Sequence, residues 1–123
     1  MHISHDPFAP LSALISFEQF LAVDIRAGRI IAASPVANAR NPAFRLEIDF
    51  GPVIGIKTSS AQITENYTPA NLIGVMVAAV VNFPPRQIGK MMSEVLTLGF
   101  PDEAGAVVLI VPREVVPIGG RMF

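Results

Sequence analysis

A chain of 123 residues is the size of one domain, and the absence of cysteine removes disulfides, thiolate metal sites and thiol nucleophiles from consideration. With 51% hydrophobic and only 15% charged residues, the chain is too apolar for a solvated coil and carries more apolar surface than one small domain readily hides, which predicts a homodimer. The net charge is -1 and no apolar run approaches the roughly 18 residues of a membrane span, so neither a global pull on nucleic acid nor membrane insertion is expected.

In chain order, residues 1–15 carry Pro7 and Pro10 and no hydrophobic period, which predicts a flexible N-terminal arm ahead of one domain over residues 16–123. The arm lacks the basic start of a secretory signal, so a cytoplasmic protein is expected. Ser16 and Gln19 form an S-x-x-Q capping box that opens a short helix over FEQFLAV. From Asp24 the pattern turns to strand, with Gly28 marking a bulge or bend and Pro35 the end. In FRLEIDFG, Phe44, Leu46, Ile48 and Phe50 point one way while Arg45, Glu47 and Asp49 point the other. The segment VIGIKTSSAQIT then reads as a second strand that makes a hairpin with it. Thr68 followed by Pro69 starts a helical turn that Gly74 closes. Next, VMVAAVVNF reads as a central strand buried on both faces, PPRQIGKMM as a loop, and SEVLTLGF and AVVLIVP as strands around a turn over residues 101–105. A short extended tail ends the chain.

Five or six short strands with Gly and Pro at the corners predict an all-β fold built as a small closed barrel. The helical turn between the third and fourth strands favours a five-stranded OB-fold barrel with short helical turns and N- and C-terminal extensions over other barrels and sandwiches.

Charge is unevenly spread. Between Arg26 and Lys90 seven cations (Arg26, Arg29, Arg40, Arg45, Lys57, Arg86, Lys90) face three anions (Glu47, Asp49, Glu65), so a basic centre lies within a near-neutral chain. The two histidines, His2 and His5, both fall in the arm, which leaves a histidine base, a catalytic triad or a histidine metal site little to build on. Glu47 and Asp49 alternate with core residues beside Arg45, as on a solvated sheet face rather than in a carboxylate pair. No phosphate-binding glycine motif or nucleophile elbow is present, so no enzyme, cofactor or metal is expected. A binding surface is the remaining reading. Asn82, Arg86, Lys90 and Ser93 gather where an apolar strand ends, and Lys57, Ser59 and Ser60 end another, an arrangement suited to phosphate and sugar oxygens. Asn82 and Ser93 equally suit local capping of loop backbone, and Phe83 suits the core or an interface better than base stacking.

The segments LAVDIRAGRI, LEIDFG, IGIKTSSAQIT and VVNFPPRQIGKMMSEVLTLG resemble the CsaA family from about Phe17 to the C-terminus. That family is similar to the tRNA-binding OB domains appended to methionyl-tRNA synthetase and to free-standing tRNA-binding proteins. The resemblance implies a homodimeric cytoplasmic export-related chaperone that binds unfolded preproteins, interacts with the translocation ATPase SecA and has affinity for tRNA. It also implies that Lys57, Ser59, Asn82, Arg86, Lys90 and Ser93 contact RNA, since they occupy the lysine-serine and asparagine-proline-basic-serine positions of the pattern. One departure stands out: synthetase-type domains resemble a serine followed by a small residue, glycine and methionine, whereas Glu94, Val95 and Leu96 follow Ser93 here. An acid at 94 would repel phosphate if it faced the groove. Two functions follow, a chaperone gripping polypeptide with Phe83, Met91 and Met92, or a dedicated structure-specific tRNA-binding protein without a chaperone role.

Overall fold

The computed structural model describes residues 4–123. Residues 4–15 form no regular element and are exposed throughout, and His2 lies outside the described residues. Helix α1 (Phe17–Leu21) opens on the expected capping box, the Ser16 hydroxyl accepting from the Gln19 N–H and the Gln19 side chain accepting from the Ser16 N–H. It ends two residues short of the expected stretch, and its apolar side is not buried: Phe17 is 70% exposed.

Strand β1 (Ile25–Pro35) organises the barrel. Its first half pairs antiparallel with β4 (Met76–Val80) and its second half with β2 (Phe44–Asp49), which continues into β3 (Ile56–Ala61). The sheet order is β3-β2-β1-β4-β7, with β7 spanning Leu96–Thr97. One strand serves both sides because it bends. The irregularity lies at Ile31, where the register with β2 shifts, and not at Gly28. Gly28 answers to packing instead, for a Cβ there would stand 2.5 Å from Ile48 Cγ2 and 2.7 Å from Phe50 Cε1. Both of those side chains are enclosed in the core with Ile30, Leu46, Leu72 and Val77.

β2 shows the expected strict alternation of buried and half-buried residues. The strand foreseen after Gly51 begins late. Gly51–Ile54 is a helical turn, α2, because Gly51 takes φ 91, Pro52 suits the first turn of a helix, and Asp49 Oδ1 accepts from the Gly51 N–H. Helix α3 (Pro69–Leu72) lies between β3 and β4 as foreseen, with a Thr68/Asn71 capping box, and drives Leu72 into the core. β4 buries Val77 and Ala79 on one face; on the other Val80 is buried while Met76 and Ala78 are half covered, so burial on both faces holds only at the end of the strand.

The segment read as a loop is a hairpin of β5 (Arg86–Ile88) and β6 (Met91–Ser93), reversing at Gly89 with φ 59. The two prolines ahead of it and the glycine within it masked strands only three residues long. β8 (Gly99–Pro101) and β9 (Val107–Leu109) form the last pair around the expected turn. The tail returns to β1, Arg121 bridging to Arg26. No helix among the described residues is long and apolar enough to cross a membrane.

Because Gly28 is closed off by two core side chains, Gly28→Ala is expected to destabilise the fold by about 1–3 kcal/mol. Urea unfolding followed by circular dichroism checks this; an unchanged midpoint would contradict the packing role.

Candidate nucleic-acid interface

Strand β3 is a sheet edge, and an edge leaves backbone donors unpaired. Here side chains cover it. The Thr58 N–H donates to Glu94 Oε1 at 3.1 Å and the Ser60 N–H to the Ser93 hydroxyl at 2.9 Å. In return the Thr58 carbonyl accepts from the N–H groups of Glu94, at 2.8 Å, and Val95, at 3.3 Å. The Thr58 hydroxyl lies 2.7 Å from the Met92 carbonyl and 3.0 Å from Glu94 Oε1. These bonds close the barrel and hold the end of the β5–β6 hairpin against β3.

The closure shapes a groove of about 860 Å3. It is lined by the loop between β1 and β2, with Arg40 and Asn41, and by Phe83, Pro84, Arg86 and Ile88. The end of β3, with Gln62 and Ile63, and the segment around Val95 and Leu96 complete it. The β1–β2 loop also meets the hairpin tip, where a Cβ on Gly89 would stand 2.8 Å from the Ala37 carbonyl oxygen. In OB-folds, the second and third strands with the loops beside them form the surface that takes oligonucleotides. This groove occupies that place.

The structure distributes the six expected RNA-contacting residues unevenly. Arg86 is exposed and lines the groove, and Lys90 is exposed at the hairpin turn. Ser93 also lines the groove, but its hydroxyl is engaged by the Ser60 N–H and the Val95 carbonyl. Ser59 is fully buried and its hydroxyl accepts from Thr97 at 2.8 Å, which makes it a strut inside the wall rather than a contact. Asn82 is exposed, yet its amide accepts from the Asp24 N–H and donates to the Ala22 carbonyl, tying the start of β1 to the strand that leads into Phe83. Lys57 lies away from the groove with its ammonium 3.8 Å from Glu94 Oε2. Arg40, Asn41 and Gln62 were not singled out. The N-A-R-N-P run between two strands was the available signal for the first two, and Gln62 had none beyond its place at a strand end.

Of the three expected peptide contacts, Phe83 lines the groove and is 52% exposed, so it is not a core residue. Met92 is 49% exposed, while its neighbour Met91 is half-buried on the opposite face of β6; neither lines the groove.

Glu94 does not offer a free charge to the groove. Its carboxyl is held below the ordinary value of 4.5, first by the Thr58 backbone hydrogen bond against the cost of burial, then by the Thr58 hydroxyl, Lys57 and Arg45. Asp24, at the start of β1, is lowered as well, chiefly by its hydrogen bond from Arg26. Among the described residues no group of three His, Cys, Asp or Glu side chains is placed to hold a metal ion.

Since the folded-state pKa of Glu94 is depressed, its contribution to stability is full above about pH 4.5 and fades as the pH falls through the folded value. Glu94→Gln is therefore expected to cost about 1 kcal/mol near neutral pH, with the gap to wild type shrinking on acidification. Urea midpoints of both proteins across that range measure it, and a gap that stays constant would rule out the charged closure.

Residues 25–121 match a family model described as "Putative tRNA binding domain". A solved structure of the chaperone CsaA from Bacillus anthracis str. Ames is 50% identical, with a TM-score of 0.84 over 90% of this chain and 100% of that one. A CsaA chaperone protein from Picrophilus torridus is 44% identical, with a TM-score of 0.83 over 89% of this chain and 100% of its own. Among curated proteins, methionine--tRNA ligase of Porphyromonas gingivalis (strain ATCC 33277) is 33% identical over 114 residues, which is 93% of this chain but 16% of the ligase. The chain thus spans about a sixth of the length of that relative.

Proposed function

The chain belongs to the tRNA-binding domain family, and from that premise we propose that it is a CsaA-like protein: an OB-fold module that binds tRNA and serves as an export-related chaperone for unfolded preproteins. The module is a non-catalytic binding domain. The observation that carries the RNA reading is that Arg40 and Arg86 both line the groove, with Lys90 on the adjoining turn and no ion pair to any of the three among the described residues. Three unpaired cations suit a phosphate backbone. Arg86, Lys90 and Arg40 are the contacting set in this reading, Lys57 adds charge from outside the groove, and Ser59, Asn82 and Ser93 hold the strands and loops that present them.

The chaperone reading is supported by the 44% and 50% identity to CsaA chaperones and by exposed Phe83 and Met92 beside the same hairpin. An unbranched thioether repacks around varied clients. In this reading Met91, half-buried behind Met92, supports the contact, the protein works in the cytoplasm, and SecA is a partner to test. A homodimer is part of the proposal, because Phe17, Phe100 and Val115 remain exposed at 70%, 67% and 86% in a single copy. The arm over residues 1–15 stands apart from the binding domain over 16–123 in the same proposal. A dedicated tRNA-binding protein without a chaperone role is the second reading, favoured by the synthetase relatives.

Salt titration tests the RNA arm. With about three phosphates neutralised per subunit at ~0.9 each, log affinity for folded tRNA should fall against log salt with a slope of about -2 to -3. Arg86→Glu with Lys90→Glu should cut that affinity sharply; equal binding by the variant in a filter assay would refute the site. Phe83→Ser with Met92→Ser tests the other arm. The pair should lose suppression of preprotein aggregation while sedimentation equilibrium still returns the mass of two chains. Undiminished suppression would remove the polypeptide site, and a single-chain mass for wild type would remove the dimer.

A further inference from the structure

A folded RNA held only by its phosphates needs a basic surface, not a recess. The groove between the β1–β2 loop and the β5–β6 hairpin is nevertheless about 860 Å3, within the range of pockets that enclose a small organic ligand. Its chemistry is divided. The buried lining is apolar, from Ile63 and Val95, with the half-exposed side chains of Leu96 and Phe83 beside it. Two exposed arginines, Arg40 and Arg86, line the groove as well, and neither side chain has an ion pair or hydrogen bond among the described residues. Asn41 and Gln62 add two exposed amides, also without side-chain partners among the described residues, each able to donate and accept. The one acid lining the groove, Glu94, is already committed to Thr58 and Lys57.

We infer that this recess takes one unpaired ribonucleotide of the bound RNA, its base against Phe83 and the apolar interior, its edge read by Asn41 and Gln62, and its phosphates between Arg40 and Arg86. An aromatic ring, flat guanidinium groups and free amides are what an unstacked base and its flanking phosphates require. An apolar peptide side chain fits less well, since filling the recess with it would strip water from two guanidinium groups and return no anion. The inference rests on the RNA-binding reading above and adds to it that the RNA must present an unpaired base.

The test uses the full chain and three probes: a short single-stranded RNA carrying one 2-aminopurine, a blunt RNA duplex of the same sequence, and folded tRNA. The single strand is expected to bind with quenching of the base analogue and to bind about tenfold more tightly than the blunt duplex, the effect of one stacked base. Arg40→Ala should weaken the single strand by about tenfold. Asn41→Ala with Gln62→Ala should flatten the preference among single strands that differ at the labelled base. All three residues sit at the surface, and circular dichroism verifies that the variants fold. Equal affinity for single strand and duplex, or groove variants that bind the single strand as wild type does while Arg86→Glu with Lys90→Glu still loses tRNA, overturns the pocket and leaves the backbone reading in place. If wild type binds none of the RNA probes, the RNA-binding reading itself falls. Displacement of the single strand by an unfolded apolar peptide, with Arg40→Ala binding both equally to wild type, assigns the recess to polypeptide and also overturns the inference.

Discussion

Thr58 and Ser60 belong to the edge strand of an open sheet, and their outward N–H groups would otherwise meet water or another chain. Two consecutive side chains from far along the sequence, Ser93 and Glu94, take those donors in place of a neighbouring strand's carbonyls. Everything that gives the groove its shape follows from that closure. It turns a five-stranded sheet into a barrel, stands the β5–β6 hairpin beside β3, and leaves Arg86 and Arg40 lining one groove. It also explains why an acid is tolerated in a basic region. The carboxylate of Glu94 acts as a charged ladder acceptor, and its remaining charge is met by Lys57.

The closure works because the other side of the barrel is rigid. β1 pairs with two partners in succession, so its two halves must stay in register with both β4 and β2. Gly28 allows Ile48 and Phe50 to pack against its backbone, and the extra residue Ile31 lets the strand turn from one partner to the other. A larger residue at 28 would push Phe50 outward, and α2, which follows Phe50 directly, would move with it. At the chain ends, Asp24 gathers Arg26 and Arg121, while Arg121 also donates to the Leu21 carbonyl. The tail and α1 are thereby joined beside Asn82, the residue that leads into the groove wall at Phe83.

Much of this was legible in the sequence, for reasons that can be stated residue by residue. The alternation of Phe44, Leu46, Ile48 and Phe50 marks one face of a strand because side chains there point to opposite sides with period two. Ser16 with Gln19 marks a helix start because a capping box is completed within four residues, and Thr68 followed by Pro69 marks another because proline suits the first helical position. The hairpin over residues 86–93 was not legible, since strands of three residues carry too little periodicity to stand out from the prolines and glycine around them. Nor was the fate of Lys57 and Ser59. They stand at alternate positions of β3, opposite Ile48 and Leu46, yet Ser59 is fully buried while Lys57 is half exposed and reaches Glu94, a difference no local pattern shows.

The barrel, its small helical turns and the resemblance to the tRNA-binding family can all be read along the chain, because they depend on periodicity, caps and short motifs within a few residues of one another. Long-range contacts settle the rest: which cations are free and which are spent among the described residues, and which segments share the groove. Thr58 meets Glu94 across 36 positions and Ser60 meets Ser93 across 33, and contacts at such separations leave no local pattern. Arg40 becomes a groove residue for the same reason: strand pairing, not anything in the residues beside it, brings its loop to the groove.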